Sequence, residues 1–113
     1  MDNKKDDGYY IKKVIENIDA IKRYTNDLTY EEFVTDEMLI DAVLFRLVQM
    51  VENINHISDG FKNKHNKISW GQISGFRNGI VHNYGKTDYS IVYEIVSQDI
   101  DELRNELCMP NID

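Results

Sequence analysis

Apolar residues recur along this chain at steps of three and four, a spacing that predicts helices over most of its length. Tyr10, Ile11, Val14, Ile15, Ile18, Ile21 and Tyr24 make one stripe, the buried face of a first amphipathic helix. Thr29-Tyr30-Glu31-Glu32 has the reciprocal capping pattern, in which hydroxyl and carboxylate each accept a helix-end N–H, and it opens a short turn containing Phe33. Thr35 or Asp36 then caps a second long helix, about Asp36 to Ser58. Its apolar positions, from Met38 and Leu39 through Phe45 and Val51 to Ile57, lie almost all round. A helix without a clean polar face is central in its fold or covered by a partner chain, and both are expected here.

Asp59 to Lys67 reads as a polar loop. Ser69-Trp70-Gly71-Gln72 is a second capping pattern, so a third helix starts near Trp70, runs to Tyr84 and ends at Gly85. Thr87 or Asp88 caps a fourth, with Ile91, Val92, Ile95, Val96, Ile100, Leu103 and Leu107 as its buried stripe and Pro110 as its stop. No alternating strand pair is present. The expected architecture is all-α, an up-and-down bundle of four main helices. A flexible amino terminus (residues 1–8) precedes a single helical domain (9–109) and a short tail (110–113).

Charge narrows the function. Thirteen Lys plus Arg against twenty Asp plus Glu leave the chain at −7, which argues against broad nonspecific nucleic-acid binding but not against a small local site. Lys62, Lys64, His65 and Lys67 concentrate positive charge just before the third helix, most simply as a solvated loop. The longest apolar run, Ala42 to Phe45, is far too short to span a bilayer, and no secretory segment opens the chain. Cys108 alone makes no internal disulfide and reads as a partly buried filler, so a cytoplasmic protein is expected. No metal-ligand spacing or phosphate-binding glycine loop is present, so neither a metal nor another cofactor is expected.

The third helix carries the chemistry. At about 100° per residue, Ile73, Phe76, Ile80 and Tyr84 fall on a core-facing quadrant, with Ser74, Arg77, Asn78, Val81 and His82 on the neighbouring arc. Arg77 supplies a permanent forked charge for phosphoryl oxygens, His82 an imidazole able to give or take a proton, and Asn78 a means of orienting either. Those parts suit metal-independent RNA cleavage, where the 2′-hydroxyl is the nucleophile. A structural reading stands beside it: a histidine near a helix end often satisfies carbonyls, and a helical arginine often caps a neighbouring carboxylate. Gly71, Gly75 and Gly79 make a ridge beside His82, and three helical glycines need a reason, either tight packing inside the bundle or contact with another molecule. On the second helix Arg46, Gln49, Glu52, Asn53 and His56 form a polar arc that lines a cleft or links two chains; His56 reads as a hydrogen-bonded structural histidine.

Trp70, Gln72-Ile73, Gly75-Phe76-Arg77-Asn78, Ile80-Val81-His82 and Tyr84, followed by Asp88 and Ile91-Val92, resemble the signature region of HepT-like proteins of the HEPN group. The resemblance implies an all-α homodimer with two signature helices facing across a cleft. It implies an endoribonuclease toxin of a type VII toxin–antitoxin pair with Arg77 and His82 catalytic and Asn78 supporting. Glu52 is the candidate assisting acid, within Val51-Glu52-Asn53 where the family commonly has Gly-Glu-Ala. The resemblance further implies that an MntA-type nucleotidyltransferase antitoxin neutralises the toxin by transferring AMP to Tyr84. Two other readings are a non-catalytic HEPN dimer that binds and is modified by such a partner, and a generic helical assembly subunit.

Overall fold

The computed structural model describes residues 5–82 and 88–108, the side chain of Val81 excepted, and every regular element among them is helical. The elements are α1 (Asp7–Thr25), α2 (Tyr30–Val34), α3 (Glu37–Ile54), α4 (Asp59–Lys64), α5 (Trp70–His82), α6 (Tyr89–Glu94), a π-helical turn (Ile95–Asp99) and α7 (Ile100–Cys108). Helix starts follow their capping chemistry. Asp6 accepts from the Tyr9 N–H at 3.0 Å and Asp36 from that of Leu39 at 3.0 Å. At α2 the box closes both ways, Glu32 N–H to Thr29 and Thr29 N–H to Glu32. Those bonds hold the Glu32 carboxyl below its ordinary range, and the Ser90 hydroxyl and N–H do the same for the α6 cap Asp88. Asp27, at φ 60°, turns the chain between α1 and α2, a left-handed position that aspartate tolerates.

Neighbouring main helices run antiparallel, as their side-chain bridges show. Arg46 on α3 donates to Asn17 and Tyr24 on α1. Arg104 on α7 grips Asp19 on α1 at 2.8 Å, and Lys22 reaches Asp101 at 3.0 Å and the Val96 carbonyl at 3.2 Å. Fully buried Val14, Ile18, Ile21, Phe33, Leu47, Val51, Ile54 and Val92 fill the centre. The bundle is therefore the expected up-and-down arrangement of α1, α3, α5 and α6–α7. No helix among the described residues is long and apolar enough to cross a membrane.

Four local expectations are corrected. Asp59 to Lys67 is not a plain loop: Ser58 accepts from the Phe61 N–H and starts α4, and His65, far from solvated, is 8% exposed, stacked on Phe61 and 3.3 Å from Glu106. The second long helix stops at Ile54 rather than Ser58. The fourth helix is not uniformly α, because its register loosens into the π-helical turn. Cys108 is exposed, not a partly buried filler.

Candidate functional site

The start of α5 is pinned before its signature residues begin. The Trp70 indole N–H points at the carbonyls of Lys62 and His65, both 3.2 Å away, and its ring meets Phe61 edge-on. From there α5 leans against α3. The Ser74 hydroxyl donates to Asn55 at 2.8 Å, and one turn further on Arg77 Nη2 lies 2.7 Å from Glu52 Oε1. Ile80 supplies the helix's buried anchor.

Arg77 and Glu52 are 31% and 44% exposed. An ion pair so open to solvent contributes at most about 1 kcal/mol to stability. Its consequence is positional: it fixes a guanidinium at the seam between α3 and α5. Arg77 Nη1 faces Asn78 Oδ1 at a long 3.4 Å, while Nε is buried without a partner among the described residues. An incoming anion would therefore meet the terminal nitrogens, one of which already has a carboxylate on it.

His82 and Asn78 are exposed, and no described contact joins His82 to Arg77. Five residues of α-helix rotate the two about 140° apart and separate them by about 7.5 Å along the axis. The helix alone does not converge them. His82 shares its outward face with Gly71, Gly75 and Gly79, where an added Cβ would meet nothing within 4 Å. Tight packing inside the bundle is thus not the reason for the glycines; they leave a bare strip of backbone beside the histidine. Tyr84 and Gly85 lie outside the described residues.

On α3 the outward stripe repeats at seven: Met38 is 81% exposed, Phe45 60%, and Glu52 follows. These three stand opposite the buried positions Val43, Leu47 and Ile54. The polar arc divides. Arg46 is committed to α1, and Asn53 folds back on the Gln49 carbonyl at 2.8 Å, so of these only Glu52 reaches α5. His56 stacks on Tyr10 with ring centroids 4.9 Å apart, in place of the expected hydrogen-bonded role. The sequence signal for the Asn55–Ser74 bridge is its one-turn spacing from Glu52 and Arg77. No group of three or more metal-ligating side chains occurs among the described residues.

Comparison with known proteins adds independent findings. The profile of the family described as Ribonuclease HepT-like matches residues 14–109. A Methanocaldococcus jannaschii protein named as a gamma-glutamylcyclotransferase and candidate RNase is 32% identical over 92% of this chain, which spans only 47% of that longer protein. A second candidate RNase of the same organism is 27% identical over 93% of this chain and 96% of its own length. A Thermococcus cleftensis protein named a probable ribonuclease HepT is 27% identical over 86% of this chain and 88% of its own. No solved structure matches the chain significantly.

Proposed function

The chain belongs to the ribonuclease HepT-like family, and we propose that it is a metal-independent endoribonuclease toxin whose centre is built from Arg77, His82, Asn78 and Glu52. The observation that carries this reading is the Arg77–Glu52 pair, which presents an oriented guanidinium at the surface on the same helix as an exposed histidine. In the reaction the 2′-hydroxyl of RNA attacks the adjacent phosphorus and the bond to the 5′-oxygen breaks, leaving a cyclic phosphate and a free 5′-hydroxyl. His82 moves one of the two protons, from the attacking or to the leaving oxygen. Arg77 stabilises the charge that builds on the phosphoryl oxygens, Asn78 steadies guanidinium or substrate, and Glu52 holds Arg77 in position.

A second copy completes the centre. The exposed Met38 and Phe45, the bare glycine strip and the α3–α5 seam lie on the outward sides of adjacent helices. Two-fold pairing over this surface would bury the apolar stripe and bring two Arg77 and two His82 to one cleft. Tyr84, seven residues beyond Arg77, is the acceptor of AMP from an MntA-type nucleotidyltransferase antitoxin; the added phosphodiester would compete with RNA for Arg77. The toxin acts in the cytoplasm.

A second reading has one observation in its favour: Glu52 already neutralises Arg77, as in a non-catalytic dimer that serves a nucleotidyltransferase as binding partner. Expression in cells separates the two. The wild-type chain should arrest growth and degrade RNA, His82→Ala should do neither, and co-expression with a neighbouring nucleotidyltransferase should add AMP mass that Tyr84→Phe abolishes. Growth arrest without loss of RNA would instead support the non-catalytic reading.

A further inference from the structure

A groove of about 670 Å³ opens between α5 and the carboxyl-terminal helices, and neither Arg77 nor Glu52 lines it. Its floor is apolar, with Met50, Ile73, Phe76, Ile95 and Leu103 contributing, and Ile91 stands at its edge 49% exposed. Its rim is acidic: Glu94, Asp99, Glu102 and Glu106 against Lys67 alone. Glu106 approaches His65, whereas Glu94, Asp99 and Glu102 form no ion pair with any described residue. The carboxylates sit along the length of the groove beside open hydrophobic surface, a pairing of charge and apolarity that selects its occupant.

We infer that this groove docks a basic, amphipathic helical segment of another protein. RNA is disfavoured, since phosphates would face four carboxylates with one lysine to offset them. The length also fits a helix: from Ile91 to Glu106 is about 22 Å at 1.5 Å per residue, the span of about 15 helical residues, too long for a single small cation. Apolar side chains on one face of the segment would cover Ile73, Phe76 and Ile91, and lysines or arginines flanking that face would meet Glu94, Asp99 and Glu102. A second copy of this chain is a poorer occupant, because at a net charge of −7 it brings more carboxylates than cations to an acidic rim. The inference is independent of the ribonuclease reading, because the two surfaces share no charged residue.

The test uses a helical leucine–lysine peptide of about 15 residues, matched to the groove, and the same peptide with glutamate for lysine. Fluorescence anisotropy against the full chain should show the lysine peptide binding at least tenfold tighter. The triple variant Glu94→Gln, Asp99→Asn, Glu102→Gln should lose at least tenfold in affinity while its circular dichroism is unchanged. A control with the same change in net charge but away from the groove, Asp27→Asn, Glu31→Gln, Glu37→Gln, should stay within twofold of wild type. Equal losses in the two triple variants would overturn the inference, since bulk charge would then explain binding. It would fall equally if the rim variant shifted RNA affinity or dissociated the chain's own dimer while leaving peptide binding intact.

Discussion

Single side chains decide what the seam between α3 and α5 can do. Glu52 both positions Arg77 and competes with any phosphate for it, so its removal should have opposite effects on binding and turnover. Glu52→Ala should tighten single-stranded RNA binding by up to about five-fold, the equivalent of losing an exposed pair worth at most about 1 kcal/mol, while slowing cleavage. Filter binding and single-turnover rates on one oligonucleotide would read both; weaker binding would show that Glu52 contacts the substrate side by another route. The Arg77-to-His82 spacing can be read directly from the sequence, whereas Glu52 is singled out only by what the family resemblance implies for the second helix. Arg46 shows why the rest was not legible. Its place on the same polar arc says nothing about which neighbour it faces, and the α1 acceptors Asn17 and Tyr24 claim it. His65 misled for a related reason: three flanking lysines made its segment look solvated, yet its ring packs on Phe61 under Glu106.

Elements were readable where one local rule set their ends. Thr29, Asp36 and Asp88 cap helices because a short oxygen-bearing side chain meets free N–H groups at those points. The π-helical turn at Ile95–Asp99 has no such signature, since the apolar stripe continues through it, and α4 was hidden by its polar composition. Helix α5 carries a feature that packing among the described residues does not explain. Its glycines are unpacked, so each costs helix stability without returning an internal contact. Gly75→Ala is therefore expected to raise the unfolding free energy by about 1 kcal/mol, measured by urea denaturation at concentrations where the chain sediments as a monomer. Destabilisation there would mean that α5 packs inside the bundle after all.

At the scale of the whole molecule, charge is segregated. Residues 88–108 carry six acidic side chains against Arg104 alone, and that arginine is engaged by Asp19. The Arg104 hydrogen bond and charge hold the Asp19 carboxyl below its ordinary range. A depressed folded-state value contributes stability above the unfolded-state value near 3.9, and the contribution shrinks as pH falls through the folded value. Asp19→Asn should thus cost up to about 1 kcal/mol at neutral pH, discounted for an exposed pair, and the cost should vanish in strong acid. Thermal melts of both proteins from neutral to acid pH would check it; a constant difference would contradict the assignment. By contrast α5, which carries Arg77 and His82, has no carboxylate among its own described residues.

Cleavage of an end-labelled single-stranded RNA by purified chain in excess chelator tests most directly whether Arg77 and His82 cut RNA. Wild type should yield products ending in a cyclic phosphate, and His82→Ala and Arg77→Ala should each be slower by about a hundredfold or more with RNA still bound. Undiminished cutting by both variants, or none by the unmodified wild-type protein, would contradict the account.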